Sequence, residues 1–125
     1  VPAAPPSPGE RLPRRQTLRR AADYQSCYRH GGRRQGAFAT LHFRANDAGC
    51  PRLGVTVGRK VGKAVARHRL KRWARECFRR SPRRAELPAF DLVVHFKPGA
   101  AAGSFTDFRA ELDRQLAGLL RGAPR

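Results

Sequence analysis

Between Arg52 and Arg84 the sequence sets thirteen Lys or Arg against a single acid, Glu76. Like charge at that density repels itself, so a fold that gathers it onto one element needs a polyanion beside it. The same stretch has the pattern of a strand running into a helix. Leu53, Val55 and Val57 alternate with Gly54, Thr56 and Gly58 over Arg52 to Gly58, as in a strand. From Gly62 to about Arg80 the period lengthens to that of a helix. Ala66, Leu70, Trp73 and Cys77 fall on one stripe. Arg67, Lys71 and Arg75 fall on another, with His68, Arg72 and Arg79 beside them. Pro82 closes the helix. Solvated helices usually mix signs so that i,i+4 pairs support them. Here Glu76 has Arg72 as its evident partner and nearly everything else outside the apolar stripe is positive. Bound phosphate explains that better than solvent.

Composition agrees. The formal net charge is +18 over 125 residues, a balance that points to nucleic acid or an anionic surface and says little about fold. Only four of the 27 basic residues are Lys (Lys60, Lys63, Lys71 and Lys97). Arg offers a planar fork for phosphate and a flat cation that stacks on bases. A GC-rich genome accounts equally well for Arg over Lys, but not for the charge imbalance. No apolar run approaches the roughly 18 residues of a membrane span. Val1 to Pro8 lacks the charged start and apolar centre of a signal peptide, so a cytoplasmic location is expected. Cys27, Cys50 and Cys77 are odd in number and far apart, without a CxxC pair. Cys77 lies on the apolar stripe and fits a core position.

Residues 1–16 hold five of the ten Pro together with Arg11, Arg14 and Arg15, the composition of a flexible basic arm. Residues 17–125 are then expected to form one α/β domain that binds RNA or DNA. Leu18 to Arg29 is compatible with a short helix closed by Gly31-Gly32. Ala37 to Arg44 predicts a strand, with Phe38, Thr40 and His42 on one face and Ala39, Leu41 and Phe43 on the other. Asn46 to Pro51 carries turn residues, and Phe90 to Phe96 predicts a third strand. Ser104 is a candidate N-cap, with Asp107 third after it. The helix that follows buries Phe105, Phe108, Leu112, Leu116 and Leu119 or Leu120. The expected order is α-β-β-α-β-α, a small α+β two-layer sandwich.

The segment LGVTVGRKVGKAVARHRLKRWARECFR resembles the signature of the protein subunit of bacterial ribonuclease P. The family pattern is a strand ending in a small residue and two basic residues, a Gly or Arg segment, then A-V-x-R-N-R-x-K-R-x-x-R-E. Arg59-Lys60, Ala64-Val65, Arg67, Arg69, Lys71-Arg72 and Arg75-Glu76 match it without a break in spacing. Asp23-Tyr24, Tyr28 to Gly31 and Phe90 to Val94 fit as well. His68 stands where the family usually has Asn. The resemblance implies a left-handed β-α-β crossover through the basic helix, where handedness statistics alone suggest a right-handed one. It implies a partner, the catalytic RNA that carries the active site, and a substrate, precursor tRNA, whose 5′ leader is removed. It implies Mg2+ on the holoenzyme, with no cofactor on the polypeptide itself. By the same resemblance Arg59, Lys60, Lys63, Arg67, His68, Arg69, Lys71, Arg72 and Arg75 face the catalytic RNA.

Tyr24 and Tyr28 are four residues apart and share a helix face. On spacing alone core packing is the simpler account of both. The resemblance instead places them in the family's cleft for single strands, where base stacking is worth about 1–3 kcal/mol per base. The family often has a further aromatic on the first strand, and Leu41 occupies that place here. Phe38 fits the core. His30, His42, His68 and His95 lack the paired carboxylates or HExxH-like spacing of a nuclease site, so the polypeptide is expected to be non-catalytic alone. Two further readings stay open at this level: a structural RNA-binding protein of the ribosomal type, and a protein-only nuclease.

Overall fold

The computed structural model describes residues 12–121. Three helices, α1 (Ala21–His30), α2 (Ala64–Arg80) and α3 (Phe105–Arg121), accompany four strands. These are β1 (Gly32–Arg34), β2 (Ala39–Ala45), β3 (Arg52–Thr56) and β4 (Phe90–Phe96), in the sheet order β1-β2-β4-β3. Neighbours are antiparallel except β3 and β4, which run parallel and are joined through α2. The predicted order gains one strand, β1. Its three residues, Gly-Arg-Arg, carry no apolar side chain; only backbone pairing of Gly32 to Arg34 with Phe43 to Leu41 makes it a strand.

Side-chain alternation divides the sheet. Ala39, Leu41 and Phe43, Leu53, and Leu92, Val94 and Phe96 face α2 and α3 in the main core. Phe108, Leu112, Leu116 and Leu119 come from α3. From α2 the buried residues are Leu70, Ala74, Cys77 and Phe78, with Trp73 half-buried beside them. The docking stripe is therefore rotated from the expected Ala66-Leu70-Trp73-Cys77, because Ala74 and Phe78 continue the line below Leu70. On the reverse face α1 covers a smaller cluster of Leu18, Cys27 and Val93, with Tyr24 packed on it. Leu18 is not helical. Its N–H donates to the Leu53 carbonyl at 2.8 Å, so the segment runs along β3 before α1 begins.

Of the expected arm, residues 1–11 lie outside the described residues. Leu12 packs against the main core and Arg14–Gln16 form a short 3-10 turn, so the fold begins before residue 17.

Two buried acids fix the framework. The Glu111 carboxylate accepts from the backbone N–H groups of Ala37, Phe38 and Ala39 at 2.7–3.2 Å, holding the entry to β2. Asp91 accepts a two-pronged bond from Arg52 at 2.7 and 2.8 Å and another from Asn46 Nδ2 at 2.8 Å. That locks the start of the parallel pair to the turn after β2. Ser104 caps α3 as expected, its Oγ accepting from the Asp107 N–H at 3.1 Å.

Candidate nucleic-acid interface

The strand-to-helix passage comes first. After β3 the chain makes a 3-10 turn, Arg59–Val61, with Val61 buried and Arg59 and Lys60 exposed. Gly62 has φ +158 and ψ −172, a backbone state almost restricted to glycine. Lys63 is the N-cap of α2, without a side-chain cap bond, and no acid lies in the first turn. The end of a helix that favours negative charge is thus built from Arg59, Lys60 and Lys63.

Along α2 the basic residues have different surroundings. Arg67, Lys71 and Arg75 follow one another at four-residue spacing on a flank where no acid among the described residues pairs with them. Arg67 and Lys71 are half-buried, while Arg75 and His68 are exposed. The Arg67 Nε is buried without a hydrogen-bond partner. The other flank is already engaged. Arg69 donates to the Ala101 carbonyl at 3.0 Å and lies 5.7 Å over the Trp73 ring. Trp73 in turn contacts Phe105 and Phe108 of α3. Glu76 pairs with Arg79 at 2.8 Å and Arg80 at 3.1 Å, not with Arg72 as expected, because the two C-terminal arginines lie at i,i+3 and i,i+4 with the favoured acid-first polarity. Arg72 is exposed at the border between the flanks.

On the reverse face of the sheet, beyond the cover of α1, three rings meet. Tyr28 lies 4.7 Å from the His42 ring and 5.8 Å from the His95 ring, edge to face in both cases. The imidazoles are 6.2 Å apart. Tyr28 Oη is 2.8 Å from Thr56 Oγ1 and 3.2 Å from His95 Nδ1. Burial raises the Tyr28 phenol pKa, against the opposing effect of the Thr56 hydrogen bond. Burial lowers the His42 pKa, helped by His95 and Arg33. Tyr28 remains 38% exposed, so its ring is available to a ligand.

Tyr24 and Tyr28 share a helix face but have unequal environments. Tyr24 is part of the small core, its Oη 3.4 Å from the Leu18 carbonyl. Leu41 departs from the expectation outright. It is 1% exposed and packs in the main core under α2 and α3, on the opposite side of the sheet from Tyr28. A one-residue shift in a strand exchanges faces, and the β2 side chain that meets Tyr28 is His42. Sequence spacing does not mark His42 and His95; they become neighbours only through the β2–β4 register. Phe38 packs on the core as expected, 6.0 Å from the Phe108 ring.

Comparison with known proteins follows the same outline. A family model described as Ribonuclease P matches residues 12–120. A ribonuclease P protein component from Acidothermus cellulolyticus is 39% identical over 108 residues, 84% of this chain and 88% of that protein. One from Desulfotalea psychrophila is 37% identical over 118 residues, covering 91% and 90%. Among solved structures, the RNase P protein from Thermotoga maritima superposes with a TM-score of 0.72 at 32% identity, covering 85% of this chain and 96% of that one. The Staphylococcus aureus RNase P protein gives 0.74 at 25% identity, covering 82% and 93%.

Proposed function

The chain belongs to the ribonuclease P protein family, the protein components of an endoribonuclease that acts on tRNA precursors, and from that premise we propose that it uses two separate surfaces for two RNAs. The first surface is Arg59, Lys60 and Lys63 with the flank Arg67-Lys71-Arg75, and His68 and Arg72 at its margin. It binds the phosphates of the catalytic RNA. The second is the ring cluster around Tyr28, with His42 in the place assigned to Leu41. It grips the single-stranded 5′ leader of precursor tRNA.

The observation that carries this reading is the contrast between the flanks of α2. The basic residues of one flank have neighbours within the protein, and no acid among the described residues pairs with those of the other. Arg69 belongs to the first kind and acts chiefly as a positioning residue, holding α2 to the segment before α3. Its place among the RNA-binding residues is therefore secondary.

No group of three or more His, Cys, Asp or Glu suited to a metal ion occurs among the described residues. In this reading Mg2+ is held by the catalytic RNA. No helix among them is long and apolar enough to cross a membrane, and action in the cytoplasm is part of the proposal. Family membership decides against the structural ribosomal reading.

The test is reconstitution with the organism's own catalytic RNA, scored for leader removal at low magnesium. A crosslinker at position 28 should mark the leader, and one at position 71 the catalytic RNA. Both positions marking the same RNA would defeat the two-surface assignment.

A further inference from the structure

We propose that Tyr28, His42 and His95 form a proton-coupled subsite, in which His42 takes up a proton as single-stranded RNA binds. The proposal rests on the leader-cleft reading above and adds to it a dependence on pH.

The geometry is specific. Two imidazoles 6.2 Å apart share one phenol, which touches both rings and is within 3.2 Å of His95 Nδ1. What surrounds them is cationic or neutral. From β1, Arg33 stands directly opposite His42 in the register. From α1 comes the Tyr28 phenol. From β2 and β3, Thr40 and Thr56 flank His95 in the register. Arg44 follows two residues along the same face of β2 and is exposed. Two acids lie on this side of the sheet: Asp91 on β4 is committed to Arg52 and Asn46, and Asp23 on α1 lies 3.8 Å from the same Arg52. No acid among the described residues pairs with either imidazole.

The imidazolium form of His42 is therefore disfavoured in the free protein, by partial burial, by the neighbouring imidazole and by Arg33. A phosphodiester laid across the face supplies the missing negative charge. It favours the imidazolium, while the rings offer surfaces to an unstacked base. The bound complex then holds more protons than its free components. The sign follows from linkage: affinity rises as pH falls, by up to about tenfold per pH unit for one proton taken up. Above the range where either state is protonated, the dependence vanishes.

The experiment uses the reconstituted holoenzyme at fixed Mg2+ and salt. Dissociation constants for precursor with its leader and for mature tRNA are measured between about pH 5.5 and 8, the range in which imidazoles titrate. Their ratio cancels titration elsewhere in the holoenzyme. The preference for precursor should rise several-fold from about pH 7.5 to 6, and the double variant His42→Gln/His95→Gln should make it flat. A preference independent of pH, or a slope that survives in the double variant, would overturn the proton coupling while leaving the cleft in place. Equal affinity for precursor and mature tRNA at every pH would remove the cleft reading and this proposal with it. As a check free of substitutions, the His42 titration followed by NMR should move to higher pH when the protein is saturated with a short single-stranded oligonucleotide. An unchanged titration on saturation would contradict the proposal.

Discussion

The ring of Tyr24 lies over Gly54 so closely that a Cβ at position 54 would fall 2.7 Å from three atoms of the tyrosine. A glycine on an edge strand thus sets how near α1 comes to the sheet, and so where Tyr28, one turn later, can reach. Gly54→Ala should push the helix outward. Overpacking of this kind costs about 1–3 kcal/mol, readable by urea denaturation. The same variant should lose part of its preference for leader-bearing substrate. Unchanged stability would mean that Tyr24 moves aside freely and does not seat α1.

Asp91 should matter more to the fold than any surface charge. Its side chain is 10% exposed and holds Arg52 by two bonds. Removing one partner of a buried pair leaves the other uncompensated, at a cost of about 3–5 kcal/mol. Asp91→Ala should show that loss in chemical denaturation. A loss below about 1 kcal/mol, the range of surface pairs, would show that solvent reaches the pair.

Much of this is legible in the sequence, and the exceptions have physical causes. The basic helix and its junction with β3 follow from periodicity. The rotated stripe does not, because Leu70 and Cys77 sit equally well on two overlapping helical lines, and only packing against the sheet selects the one with Ala74 and Phe78. β1 leaves no mark in the sequence because its three residues owe their conformation to Leu41 to Phe43 and not to themselves. Alternation places Leu41 correctly beside Ala39 and Phe43. Its assignment to the cleft depends on counting to a family position, and a shift of one residue reverses the face. His42 and His95 are more than fifty residues apart in sequence, so no local pattern could join them.

Stability should depend on pH through His42. Its pKa in the folded state lies below the ordinary value because of burial, His95 and Arg33. The unfolded chain therefore takes up a proton first as pH drops below about 6.5. This contribution is present above that pH and is lost as pH falls toward the lower, folded pKa. Thermal unfolding between about pH 7.5 and 5.5 should show a decline that His42→Gln reduces. An equal decline in both proteins would place the effect in other groups.

The three thiols should separate by reactivity. Burial raises Cys27 and Cys77 to pKa values of about 12, and both side chains are buried. Cys50 is partly accessible. Mass spectrometry after alkylation at about pH 8 should find one label on the folded protein and three on the unfolded chain. Rapid labelling of Cys27 in the folded protein would show that α1 opens readily from the sheet.

The division of labour between the two surfaces is tested most directly by two sets of variants in one reconstitution. Arg67→Ala, Lys71→Ala and Arg75→Ala together should weaken assembly with the catalytic RNA about tenfold or more and flatten its salt dependence, on the order of 0.7–0.9 in slope for each phosphate no longer neutralised. Tyr28→Ala should leave assembly within about twofold and reduce the preference for precursor over mature tRNA by about 1–3 kcal/mol, the range of one base stack. If both sets weakened assembly and leader preference in the same proportion, the protein would have one RNA surface and the account would be wrong.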